Sequence, residues 1–434
     1  MRLLASLSLV ASVCAGSIPA QEFTTLKGHG GPIMGLDAAP SGQVASASFD
    51  NSAALWAGRL PQWLEGHDAA VTAVSFAGAG RLVTGGDDFA LRLWMPDGTS
   101  QVLGQHKGKV RGLAVSPDGQ MLASASWDGS VGIWSLETGS LQRMIDLGIG
   151  VNDVAYGGET MVFAATMDGR ILGIDPAGKS APRPMVEQGF SVNRLVVDAE
   201  AGWLAYGAVD GATRVIDLET AAEVADFTLD RRPVLAMDYH AATGQLAVGD
   251  GHGYIMMIAT GNTGERWRIA RDFRAARKGP IWALAFSPDG DIVWAGGLDD
   301  VIYGWPVALM GTFDPAMGQE HSFLRPADSM PNGERQFMRK CSICHALTEG
   351  ESRKAGPTLY ALFGRRAGSL PGYRYSPVLD GSDIIWNDET IDALFDLGPD
   401  HYIPGSKMPM QRITAAVDRR DLVAFLKHAT QPEK

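Results

Sequence analysis

The stretch SWDGSVGIW, residues 126–134, decides the reading of the fold. Two other segments align with it: SFDNSAALW at 48–56 and GDDFALRLW at 86–94. In each an Asp precedes the closing Trp by six positions: Asp50 and Trp56, Asp88 and Trp94, Asp128 and Trp134. Between Asp and Trp the residues alternate as a strand does. Weaker copies end at Ile174, Ile216, Ile258 and Trp305. The seven copies are spaced by 38, 40, 40, 42, 42 and 47 residues, near the length of one four-stranded propeller blade. SPDG tetrads at 116–119 and 287–290 fit the hairpin turns between such strands.

These segments resemble the WD-repeat family. Its GH signature stands at Gly28-His29 and Gly66-His67, and as QH at Gln105-His106. The resemblance implies a buried His–Asp–Ser–Trp network, expected at His29, Ser48, Asp50 and Trp56, and again at His106, Ser126, Asp128 and Trp134. The second blade has Gly86 where the Ser is expected, and blades four to six lack both GH and Trp. The last copy ends its third strand near Pro306, with no clear fourth strand behind it. The strand-like segment EFTTLKGH lacks a hairpin partner, so residues 23–26 are expected to close the last blade and hide an edge. Five histidines fall in this region: His29, His67 and His106 belong to the repeats, His252 takes the Asp position of a repeat turn, and His240 is unassigned. With no Cys among them, a binding platform is the reading, while cofactor-free catalysis by acidic residues stays open.

The 434 residues allow two or three domains, and 45% hydrophobic with 20% charged residues is a globular composition. Fifty-three glycines suit an all-β protein rich in turns. A net charge of −12 argues against nucleic acid as the main partner. The chain opens with Arg2, an apolar run over 3–16 and small residues up to Ala20, the layout of a signal peptide cleaved after Ala20. The competing readings are an uncleaved anchor, for which the run is short, and acylation at Cys14, which Val13 suits poorly. Export to the periplasm is the expectation, with no transmembrane segment after cleavage. The mature chain then keeps two cysteines, Cys341 and Cys344.

Those two lie in KCSICHAL, residues 340–347, and a histidine follows at once. Cys-x-x-Cys-His reads as c-type haem attachment. Two thiols add across the two vinyl groups, two intervening residues bring both sulfurs to the ring edge, and His345 then meets the iron. A disulfide is a second fate in an exported protein. A zinc site wants a further Cys or His pair, and a redox dithiol wants a βαβ setting.

The flanking segments at 356–379, 384–395, 402–410 and 418–430 follow in an order that closely resembles mitochondrial-type class I cytochrome c, over about residues 332–430. The resemblance implies a small all-α domain with one haem c held through Cys341 and Cys344. It makes His345 the proximal ligand, with the Pro357 carbonyl on its imidazole N–H, and Met408 the distal ligand, Met410 being the nearest rival. Arg365, Tyr375 and Trp386 match family residues that neutralise or hydrogen-bond the buried propionates. Gly333 and Phe337 are expected to pack on Leu422 and Phe425. Leu394 stands where the family commonly has Tyr near the Met ligand.

The expected organisation is therefore a signal peptide (1–20), an all-β seven-bladed propeller (21–307), a linker (308–331) and a cytochrome c domain (332–430). From residue 324 on there are 15 Lys+Arg and 14 Asp+Glu, against 22 and 35 before it, so the acid lies in the propeller. Around the haem edge lysines are sparse, with Lys407 and a few arginines. The expected function is an exported single-haem electron carrier with the propeller as docking platform for a redox protein, soluble or at a membrane. The alternative is an oxidoreductase whose propeller binds a small molecule and passes electrons to the haem.

Overall fold

The computed structural model describes residues 24–229, 232–261, 266–276, 279–310, 329–350 and 352–432. The expected signal peptide, and residues 311–328 of the expected linker, lie outside these residues. Twenty-eight described strands, β1 (Thr24–Lys27) to β28 (Val301–Pro306), form seven four-stranded antiparallel sheets, the blades of a propeller. The first blade shows the logic. Its strands β2 (Ile33–Ala38), β3 (Val44–Ser48), β4 (Ser52–Ala57) and β5 (Leu60–Glu65) run outward in chain order. All five residues of β3, VASAS, are buried, because both faces of a middle strand are covered by adjacent blades. Small side chains are what such a two-sided contact admits.

Neighbouring blades are also clipped at their inner strands. Asp37 Oδ2 accepts the Phe76 N–H at 2.7 Å, Asp153 Oδ2 accepts that of Leu195 at 3.0 Å, and Asp238 Oδ2 accepts that of Phe286 at 2.6 Å. Burial pushes the Asp37 carboxyl up to about 6. Burial, with the nearby charge of Asp37 added, pushes Asp238 up to about 7.

The ring closes across the chain ends of the propeller. The last sheet contains β26 (Ile281–Phe286), β27 (Ile292–Gly297), β28 and, as its outer strand, β1. Thr24 pairs with Gly304 and Lys27 with Val301. The expected closure is thus met at 24–27, one residue along from the expected 23–26, with Phe23 outside the described residues.

The repeat network is present in three blades, with one correction. His29 Nδ1–H donates to Asp50 Oδ2 at 2.9 Å, Ser46 Oγ meets His29 Nε2 at 2.7 Å, and Trp56 Nε1 donates to Ser46 Oγ at 2.8 Å. The serine is therefore Ser46, not Ser48, and in the third blade Ser124, not Ser126. The reason is register. Trp56 lies opposite Val44 and Trp134 opposite Leu122, so the diagonal neighbour on the same face is two residues further on. Ser48 instead donates to Gly31 O and steadies the turn by accepting the Asp50 N–H. By the same rule the second blade lacks nothing: Thr84 accepts from Trp94 at 2.8 Å and meets His67 at 2.7 Å, and Gly86 is not the network position. His240 also has a structural role, meeting Thr243 Oγ1 at 2.8 Å and Pro288 O at 3.0 Å.

In the turns that follow Asp50, Asp88, Asp128, Asp168 and Asp210 the next residue is left-handed. Gly129, Gly169 and Gly211 stand at φ 90–97°, Asn51 at 70°, and in the second blade Phe89 at 70°. A bulky residue there is strained. Because all blades run in the same sense, these turns and the links into each next inner strand open at one end of the ring.

The second unit has four described helices: α1 (Asn332–Lys340), α2 (Asp388–Leu397), α3 (Pro399–Tyr402) and α4 (Ala416–Ala429). Asn387 and Thr390 form a capping box at the start of α2. Helices α1 and α4 cross at Gly333, where a Cβ would stand 2.0 Å from the Asp421 carbonyl oxygen, and the Phe337 and Phe425 rings lie 5.5 Å apart. Leu422 is fully buried in the same core.

Candidate cofactor site

The Cys-x-x-Cys-His segment extends α1 by a further turn. Cys341 N–H donates to Phe337 O, and the Cys344 and His345 N–H groups both donate to Cys341 O, at 3.0 and 2.9 Å. That curl brings Cys341, Cys344 and His345 to one cavity of about 700 Å³. The two thiols are unbridged. Burial pushes Cys341 up to about 12 and Cys344 up to about 11, so both are thiols at neutral pH.

His345 donates from Nδ1 to Pro357 O at 2.8 Å, which leaves Nε2 as the nitrogen available to the cavity the ring lines. Burial holds the imidazole below its ordinary pKa, so it is a neutral donor. Gly356 allows this placement, for a Cβ there would lie 2.4 Å from the imidazole. The Gly356 N–H donates to Cys344 O at 2.8 Å, tying this segment to the Cys-x-x-Cys curl.

Met408 lines the cavity and packs on its core, whereas Met410 is 57% exposed. The structure thus brings Met408, not its rival, to the site. Leu359, Leu362, Leu394, Phe395 and Ile403 make the remaining wall apolar, which suits a flat aromatic macrocycle. Tyr375 and Trp386 line the same space. Arg365 also lines it, but its two terminal nitrogens donate to Tyr360 O at 2.9 Å and Thr358 O at 2.8 Å, so it fixes the loop as well as offering charge.

One polar side chain escaped the sequence reading. Ser376 Oγ is buried at this cavity and has no hydrogen-bond partner among the described residues. An orphaned hydroxyl in a cavity also lined by half-buried Arg365 and by Tyr375 fits an acidic group of a bound cofactor. Only its place directly after Tyr375 in the sequence could have signalled it. With two thiols, a neutral imidazole, a thioether and an apolar slot rimmed by Arg365, Tyr375, Ser376 and Trp386, the residues fit haem c.

The mouth of the cavity is not made by this domain alone. Phe49, Asp68, Asp87, Phe89 and Lys109, from the turns and links at one end of the propeller, complete its lining.

Comparison with known proteins agrees with both halves of the chain. The family described as WD domain, G-beta repeat matches residues 20–57, 58–95, 98–135 and 267–305. The family described as cytochrome c matches residues 331–430. Cytochrome c of Sesamum indicum is 42% identical over 106 residues, which cover 24% of this chain and 94% of that protein. That of Nigella damascena is 39% identical over the same length and shares. Cytochrome c of Ginkgo biloba is 39% identical over 101 residues, 23% of this chain and 88% of the relative.

Proposed function

Through residues 331–430 the chain belongs to the cytochrome c family, and from that premise we propose an exported, periplasmic electron carrier whose propeller is the docking platform for a redox protein. The C-terminal domain is a haem electron carrier with one covalently attached haem c, and Cys341 and Cys344 fit its attachment motif. The bound haem supplies a one-electron iron couple. This chain's own residues set its surroundings. His345, oriented by Pro357 O, and Met408 would hold the iron of the haem. A thioether and an imidazole together would favour ferrous over ferric iron and raise the potential. Arg365, Tyr375, Ser376 and Trp386 would compensate the propionates, whose burial without partners is costly.

The observation that carries this reading is the convergence of Cys341, Cys344, His345 and Met408 on one apolar cavity. An optical redox titration before and after Met408→Ala tests it. The ferric far-red band disappears and the positive potential falls in the variant. An unchanged spectrum rejects Met408, and absorption beyond one haem c favours an oxidoreductase with a second cofactor.

Export is supported by Arg2, the apolar run and the small residues ending at Ala20. Among the described residues no helix is long and apolar enough to cross a membrane. A mature N-terminus at Gln21 in a periplasmic fraction is the expected result, and retention in the cytoplasm rejects export. The platform role is supported by the end of the ring beside the haem domain. Trp127, Met167, Phe190 and Val209 stand exposed there on turns and links of blades three to five. Apolar side chains grouped on one face suit protein docking.

A further inference from the structure

We propose that the end of blades one and two is an internal docking partner for the haem domain, which covers the haem edge and must let go before a protein-sized redox partner can reach it. This rests on reading the shared cavity as the haem site.

Four observations support it. First, the two domains are joined by charge. Arg353 Nη2 lies 2.7 Å from Glu65 Oε1, Lys407 Nζ lies 3.3 Å from Asp68 Oδ1, and Arg374 pairs with the same Asp68 oxygen. The cations belong to the haem domain and the acids to the propeller, which matches the excess of Asp+Glu before residue 324.

Second, the contact is shaped as well as charged. The Arg353 guanidinium lies 3.7 Å from the centroid of the Trp63 ring. The backbone of Arg353 is seated so closely on Gly30 that a Cβ there would stand 2.4 Å from the Arg353 carbonyl carbon. Trp63 is itself braced by the ring of His29, 5.0 Å away, and by Trp56, 5.9 Å away. The surface therefore rests on the buried repeat network.

Third, the residues that reach the cavity mouth are those this docking brings in, above all Phe49, Asp68 and Phe89. Lys407, adjacent to the proposed ligand Met408, is one of the three cations committed to the propeller. Fourth, Phe89 occupies the left-handed turn position at φ 70°. Gly or Asn would relieve that strain in the turn, whereas only a large side chain can help roof the cavity.

The polar part of the contact is exposed ion pairs and one cation–π contact, each weak. Such a latch opens readily, and a protein with an acidic patch could take over Arg353, Arg374 and Lys407 as it displaces Asp68 and Glu65. Small one-electron reagents need no such release.

The test measures oxidation of the full-length ferrous protein by two acceptors in stopped flow. One is cupric plastocyanin, an acidic copper protein, and the other is tris(phenanthroline)cobalt(III). In both cases one electron leaves the ferrous haem and reduces Cu(II) to Cu(I) or Co(III) to Co(II). The double variant Glu65→Lys, Asp68→Lys is expected to speed oxidation by plastocyanin about tenfold and to alter the cobalt rate less than about threefold, as weakening of several exposed charge contacts allows. Adding Arg353→Glu and Arg374→Glu to that variant restores opposite charges and is expected to slow the plastocyanin reaction again. Equal plastocyanin rates in wild type and double variant, or parallel changes with both acceptors, overturn the gate. A misfolded double variant shifts the decision to wild type at rising salt: loosening of the latch predicts increasing hydrogen exchange at 352–354, and unchanged exchange overturns it. Absence of a covalent haem spectrum instead rejects the reading of the cavity, so the two failures are distinguishable.

Discussion

Trp56 and His29 meet on a single atom, the Oγ of Ser46, which accepts the indole N–H at 2.8 Å and meets the imidazole Nε2 at 2.7 Å. Since His29 Nδ1–H is given to Asp50, the hydroxyl proton points to Nε2, and the chain runs Trp to Ser to His to Asp without a gap. Burial works against the Asp50 carboxylate, but the hydrogen bonds from His29, Ser52 and the Gly30 N–H together outweigh it and hold the group below its usual range.

Ser46→Ala should therefore lower propeller stability by about 1–3 kcal/mol, since it strands two buried groups at once. Ser46→Thr should cost under about 1 kcal/mol, because Thr84 already fills this role in the second blade. Denaturant midpoints of the two variants check both values.

The sequence placed the blades but not this atom. Asp and Trp at fixed spacing are visible as letters, whereas the serine is chosen by cross-strand register, and Ser46 and Ser48 share one face of β3. Thr84 does not match a serine pattern, although its hydroxyl fills the same role. The haem-domain ligands were legible because Cys-x-x-Cys-His and the Met408 segment are local motifs. Ser376, Gly356 and the Arg353–Trp63 contact were not legible. Their significance depends on a cavity and on an interface between residues nearly three hundred positions apart.

Asp37 and Asp238 predict an unusual pH response. Their folded pKa values, about 6 and about 7, exceed the ordinary 3.8, so the folded ring binds more protons than the unfolded chain between these limits. Propeller stability should rise as pH falls from 8 toward 5, by on the order of a few kcal/mol in total. In Asp37→Asn, Asp238→Asn that rise should be flattened, with the variant the more stable one at pH 8. Thermal melts across the range check the slope, and a wild type that loses stability between pH 8 and 5 contradicts it.

Gly356→Ala should damage the haem site without unfolding the propeller. The added methyl cannot coexist with the His345 ring in place, an overpacking worth about 1–3 kcal/mol. Haem content by pyridine haemochrome should fall severalfold, or the potential should shift in the loaded fraction.

Gly333→Ala tests the crossing of α1 and α4. A Cβ 2.0 Å from a carbonyl oxygen forces the helices apart. The haem domain should lose about 1–3 kcal/mol while the propeller transition stays in place, which calorimetry can resolve as two separate events.

The closing strand of the ring sets an order in time. Thr24 and its partner Gly304 are 280 positions apart. The first described strand is thus the last to be paired, and it waits while six other blades are made. Until then β28 keeps an open edge, the kind that recruits strands from other chains. Closing so long a segment carries an entropic cost that grows only slowly with length, so the delay is one of synthesis more than of search. Four residues, Thr24–Lys27, act as the latch of the whole ring, and trimming them does not shorten a tail but unfastens a circle.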